Sequence, residues 1–196
     1  MPLLTICIPS LEERAASLDR LLASLRAQER AGEVEVLVAV DARQSPTGTK
    51  RNQLVAAAQG RYVAHVDDDD RVAPTYIPDV LAAIERRPSV DVVTIRGERL
   101  DAGRKRWEFD YRLSGNFEAR EEAGVLWRSP DHLCALRSDL ARAWPFPART
   151  LGEDVHWAME IAPRLRSMER AGNRVLYHYL TTANRAQERV AESRRR

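Results

Sequence analysis

The stretch Tyr62-Val63-Ala64-His65-Val66-Asp67-Asp68-Asp69-Asp70 decides the fold. A largely apolar run that breaks abruptly into charge reads as a buried strand ending where the acids begin. Open α/β sheets bind ligands at the carboxyl ends of their strands, so these acids stand where a ligand is expected. Two like charges about 4 Å apart repel by about 1 kcal/mol in water, and by more in a cleft. Four in succession therefore call for a neutralising cation. Magnesium and manganese take hard carboxylate oxygens, and magnesium often binds through one or two carboxylates plus substrate phosphates. An acidic solvated turn is the alternative that this segment by itself leaves open.

Working outward, residues 3–8 form a continuous apolar run that fits a strand buried on both faces. Leu18, Leu21, Leu22 and Leu25 then recur at helical spacing. Residues 34–40 read as a second strand stopped by Asp41, and residues 49–59 as a helix stopped by Gly60. After the acidic run come a helix over 77–86, with Pro78 tolerated in its first turn, and a strand over 90–95. This β-α-β-α-β-α-β order predicts a doubly wound, mostly parallel sheet. Residues 97–129 scatter Trp107, Phe109, Tyr111, Phe117 and Trp127 among charges and read as irregular strands with a mobile loop. A late strand over 133–136, a helix over 152–161, a final strand over 174–180 and a charged helical tail from Asn184 complete the reading.

Composition narrows the class. At 196 residues, 44% hydrophobic and 31% charged, the chain fits one soluble globular domain. No apolar stretch approaches the ~20 residues of a spanning helix, and the first residues read as a strand rather than a signal peptide. Cys7 and Cys134 both fall in apolar runs, which predicts buried reduced thiols in a cytoplasmic protein. The net charge of +2 is too mild to announce a nucleic-acid binder. Of the 31 basic residues 29 are arginine, which suits phosphate recognition and equally a codon bias toward arginine. The closing Arg194-Arg195-Arg196 reads as a solvated tail, with contact to an anionic polymer or lipid surface as the alternative.

Three strand ends thus carry Pro9-Ser10, Asp41 and the acidic run along one edge of a parallel sheet. A lone Asp after a second strand can accept from a ribose, or simply hold a turn. No glycine-rich phosphate loop is present, so a bound nucleotide would need a metal for its diphosphate. Glu153 and Asp154 open a helix, where the dipole favours carboxylates. They point about 100° apart, so one can face the cleft as a general base while the other caps or orients. His132, before the late strand, is a candidate acceptor contact. So is Trp157, three residues after Asp154 on nearly the same helical face, although core packing is its other reading.

Taken in order, Gly60-x-Tyr62-Val63-x-His65-Val66-Asp67-x-Asp69-Asp70-x-x-x-Pro74, the preceding Thr49-Lys50-Arg51-Asn52 and the later Gly152-Glu153-Asp154 resemble the motifs of family-2 glycosyltransferases. The resemblance runs over roughly residues 3–180. It implies a GT-A fold, a Rossmann-like sheet with helices on both faces, in a single domain over residues 1–183. It further implies a metal-dependent, inverting transfer of one sugar from a nucleotide-diphosphate sugar, UDP-linked, to a hydroxyl acceptor. On that resemblance Pro9 and Asp41 border the nucleoside, Asp67 and Asp68 contact ribose or donor, and Arg51 contacts the donor. Asp69 would ligate Mn2+ or Mg2+, Asp70 would support the donor sugar, and Asp154 would be the base with Glu153 as its partner. Some enzymes of this fold take a late histidine as a further metal ligand, which nominates His178. The sequence departs from the family at Pro9-Ser10-Leu11-Glu12, which lacks the usual aromatic, and after Asp41, where a second acid is missing. A sugar nucleotidyltransferase and a non-catalytic sugar-nucleotide or glycan-binding module are the alternative functions. The acceptor, whether saccharide, lipid carrier, protein or modified DNA base, is left open.

Overall fold

The computed structural model describes residues 1–28, 30–101 and 104–181; the expected helical tail from Asn184 lies outside them. Strand β1 (Leu4–Leu11) is buried along nearly its whole length and pairs in parallel with β2 (Val34–Asp41) on one side and β3 (Tyr62–His65) on the other. Each buried Leu or Ile of β1 contributes roughly 1.5–3 kcal/mol by leaving water, which explains its unbroken apolar run. The register sets Leu11 beside Asp41 and Cys7 beside His65, so the three strands run out along one edge.

Helices cover both faces. Leu18, Leu21 and Leu25 of α1 (Ala15–Arg26) are buried, and the Gln28 side chain just beyond accepts from Ile77 N–H at the start of α3 (Tyr76–Arg86). On the other face α2 (Thr47–Ala57) packs on β1 and β2, beside α4 (Ser138–Ala143) and α5 (Glu153–Ile161). Among the described residues no helix is long and apolar enough to cross a membrane.

Beyond β3 the sheet becomes mixed. The short strand β9 (Ala135–Arg137) runs antiparallel between β3 and β5 (Val92–Asp101), so β5 keeps the direction of β3. The late strand is therefore present, but reversed relative to its neighbours. Its reversal has a functional consequence: residues entering β9 lie at the carboxyl end of β3. His132 does so, its carbonyl accepting from His65 N–H at 3.1 Å.

The segment expected to be irregular is ordered instead. Strand β5 continues to Asp101 and folds back as β6 (Arg104–Tyr111), followed by the hairpin of β7 (Ala119–Glu122) and β8 (Val125–Arg128). Cationic side chains pack on its rings: Arg99, Arg112 and Arg128 lie over Trp107, Trp127 and Phe109. The final strand is also longer than expected. It spans Met168–Thr181 as β10, shifts register between Arg170 and Tyr177, and pairs with both β5 and the two-residue β4 (Arg71–Val72).

Candidate active site

One cleft of about 650 Å³ opens at the strand-end edge, lined among others by Pro9, Arg51, Asp67, Asp68, His132, Glu153 and Asp154. Strand register, the helix α2 and the reversed β9 together gather these sequence-distant residues.

Every acid of the edge meets a protein partner. Asp67 Oδ1 accepts from Arg51 Nη2 at 2.7 Å, and its other oxygen lies 3.7 Å from His132 Nε2. Burial would raise the Asp67 pKa, but the Arg51 charge, with His132, outweighs burial and holds it well below the usual carboxylate range. Asp68 is fixed between Ser10 Oγ at 2.7 Å and Arg14 Nη1 at 2.9 Å. Arg14 also reaches Asp69 Oδ2 at 3.2 Å. Asp69 borders a smaller adjoining cavity of about 150 Å³ rather than the wall of the main cleft. Asp70 is buried beneath the edge, accepting from Tyr177 O–H at 2.7 Å and Leu180 N–H at 2.8 Å. Burial, followed by the charges of Asp67 and Asp69, pushes its pKa well up. Its position makes it a support under the edge. Asp41 caps the turn after β2 through Ser45 N–H at 2.7 Å and pairs with Lys50 at 2.8 Å. The Lys50 hydrogen bond, foremost among its causes, lowers the Asp41 pKa.

Helix α2 supplies Lys50 and Arg51, and a second segment is clamped to it. Asn52 Nδ2 donates to Phe146 O at 2.8 Å, while Phe146 N–H donates to Asn52 Oδ1 at 2.8 Å. A Cβ on Gly48 would meet Pro147 O at 2.0 Å, so only glycine allows this contact. The clamp carries the chain to Gly152, whose positive φ of 68° turns it into α5. Glu153 then faces inward with Oε1 3.5 Å from Arg51 Nε, and Asp154, its side chain 37% exposed, faces the cleft. Burial raises the Glu153 pKa, Arg51 opposes that shift, and the neighbouring Asp154 adds to it. His132 lies between the two halves, 3.7 Å from Asp67 and 4.0 Å from Asp154. It is 7% exposed and neither ring nitrogen has a hydrogen-bond partner.

Two nominated residues are placed elsewhere. Trp157 is 4% exposed, donates its indole N–H to Trp144 O at 2.7 Å and stacks on Phe146 at 4.6 Å. It belongs to the core rather than an acceptor wall, because the helical face next to Asp154 turns inward within one turn. His178 pairs through Nδ1 with Glu98 Oε1 at 2.8 Å. Strand alternation sends it opposite to Tyr177, which holds Asp70, and Tyr179, which lines the cleft.

Conversely, the sequence reading gives no role to Arg14, Lys50 or Tyr177, nor to Arg99, Phe109 and Arg128 of the cleft wall, whereas Trp107, readable as acceptor lining or as core, does line the cleft. The spacing of Tyr177 and Tyr179 on one strand face was a usable signal; Arg14, set in an acidic segment, offered none.

The donor chemistry of the edge fits Mg2+ or Mn2+: Asp67, Asp68 and Asp69 offer hard carboxylate oxygens. Among the described residues no group of three or more His, Cys, Asp or Glu side chains is arranged to hold an ion by itself.

Comparison with known proteins agrees with this geometry. The profile of glycosyl transferase family 2 matches residues 43–143, just over half of the chain. Crystal structures of S. aureus TarS 1-349 share the fold: TM-score 0.69 at 19% identity, covering 92% of this chain and 60% of that one. The complex of the same protein with UDP-GlcNAc gives 0.71 at 18% identity, covering 92% and 59%. Its complex with UDP gives 0.70 at 19% identity, covering 96% and 63%. The chain therefore spans about 60% of the length of those proteins. No curated protein sequence matches significantly. An acidic strand end, a helix opened by Glu153 and Asp154, a shared fold and a matching profile converge: the chain belongs to glycosyl transferase family 2.

Proposed function

We propose that the cleft moves one glycosyl unit from a nucleotide-diphosphate sugar, UDP-linked, to an acceptor hydroxyl, with inversion and with Mg2+ or Mn2+. One observation carries this reading: Asp67 and Asp154 face a single cleft from β3 and α5, with His132 between them at 3.7 and 4.0 Å. The complexes of S. aureus TarS with UDP and UDP-GlcNAc support the choice of donor.

Asp41, Lys50 and Pro9 border the nucleoside, while Asp67, oriented by Arg51, meets the ribose and diphosphate. Asp69, with Asp67 or Asp68, would hold the ion, which when bound would supply Lewis-acid neutralisation of the departing diphosphate. Asp154 accepts the acceptor's hydroxyl proton as the oxygen–anomeric-carbon bond forms and the carbon–phosphate-oxygen bond breaks on the opposite face. Glu153, buried on Arg51, fixes the start of α5 and so the aim of Asp154. The wall of Arg99, Trp107, Phe109 and Tyr179 forms the acceptor side. We place the reaction in the cytoplasm, where reducing conditions keep Cys7 and Cys134 as the buried free thiols they are. Burial, chiefly, pushes the Cys7 pKa up to about 12, which keeps it unreactive.

Donor hydrolysis measured over a panel of nucleotide sugars, with Mn2+ and with chelator, tests the reading. Hydrolysis of one donor class that chelator removes is the expected result. Activity indifferent to chelator, or none with any nucleotide sugar, overturns it.

A further inference from the structure

Arg14 ends the short 3-10 turn Glu12–Arg14 that leaves β1, and it lines the main cleft. Its Nη1 lies 2.9 Å from Asp68 Oδ1 and 3.2 Å from Asp69 Oδ2. The second Asp68 oxygen is taken by Ser10 Oγ at 2.7 Å. The Asp68 side chain is 1% exposed and that of Arg14 29%, so the guanidinium covers the pair from the solvent side. One cation thus spans two adjacent carboxylates on the side from which a divalent ion would approach. Guanidinium and divalent ion want the same oxygens and repel each other.

We propose that Arg14 is the resident counter-ion of the donor site, competing with the divalent ion for Asp68 and Asp69 and setting how tightly that ion is held. The proposal rests on the cation-dependent reading given above. A donor diphosphate brings enough negative charge to satisfy both cations at once. The competition therefore makes the site discriminate against the bare ion and in favour of the ion with its nucleotide. Lys50 and Arg51 also line the cleft, and their carboxylate contacts are to Asp41, and to Asp67 and Glu153.

Electron paramagnetic resonance of free Mn2+, titrated with the 196-residue chain, tests the proposal without any turnover. Wild type, Arg14→Gln and Arg14→Ala are compared with and without UDP, with folding checked by thermal unfolding. The expected result is that each folded variant binds Mn2+ alone about tenfold more tightly than wild type, the effect of removing one unit charge a few ångströms from the ion. Affinity equal to or weaker than wild type in either folded variant overturns the competition and leaves the cation-dependent reading intact. Absence of Mn2+ binding in all three proteins, even with UDP, overturns that reading and the competition with it.

Discussion

The two halves of the sheet bring opposite chemistries to one cleft. The parallel half, β1 to β3 with α2, sets acids and bases within hydrogen-bond distance: Asp41 on Lys50, Asp67 on Arg51, Asp68 on Arg14. The other half, built on the antiparallel β5–β6 pair with β8 beside β6, also lays guanidinium groups over rings, with Arg128 4.2 Å above Phe109 and Arg99 5.8 Å from Trp107. Breaking a buried ion pair by removing one partner costs about 3–5 kcal/mol, whereas an exposed cation–π contact contributes about 0.5–1 kcal/mol. Removing a cation from the first half is therefore expected to cost more than removing the Trp107 ring from the second.

The largest expected effect lies where the halves meet. Asp154→Asn should lower kcat by about 10²–10⁴-fold, the range of a lost general base, with UDP affinity unchanged by calorimetry. Near wild-type turnover would remove Asp154 from the role of base. Next comes Arg51→Met, which strands Asp67 and Glu153 without their shared cation. Urea unfolding should show a loss of about 3–5 kcal/mol; a loss under 1 kcal/mol would mean that the donor half is not organised around this ion pair.

The antiparallel half should respond differently. Trp107→Ala is expected to raise the acceptor KM by about tenfold while leaving UDP affinity within about twofold, the pattern of lost ground-state binding on one side only. A matching loss of UDP affinity would erase the division between the halves. The smallest effect is a pH dependence. The Glu153 pKa is raised in the fold above its ordinary value of 4.5, so the stability it contributes is complete below that value and is lost as pH rises through the folded value. Glu153→Gln should therefore gain stability relative to wild type between about pH 4 and pH 7, read by urea midpoints at each pH. A difference that shrinks over that window would contradict the assignment.

The same division explains what could be read from the sequence. Residues 62–70 and 3–8 announce themselves because a strand buried on both faces must be apolar and must end where charge begins. That logic located Asp41, the acidic run and the opening of α5. It could not show that β9 runs backwards, although that reversal is what brings His132 beside Asp67. Nor did it find the β5–β6 extension, although Trp107-Glu108-Phe109-Asp110-Tyr111 keeps a period-two alternation, because the run is short and set among charged residues. His178 and Trp157 point away from the cleft for a related reason. Each is close in sequence to a cleft residue, and a strand or helix turns its neighbour away from the cleft.

The central claim is that the acids at the end of β3 grip a divalent ion and, through it, a diphosphate. A crystal soaked with Mn2+ and UDP and measured at the manganese absorption edge tests it most directly. The account predicts one anomalous peak within bonding distance of an Asp69 oxygen and of the diphosphate, with the uridine toward Asp41. A diphosphate bound away from that edge, or a manganese peak that touches none of Asp67, Asp68 and Asp69, would contradict it.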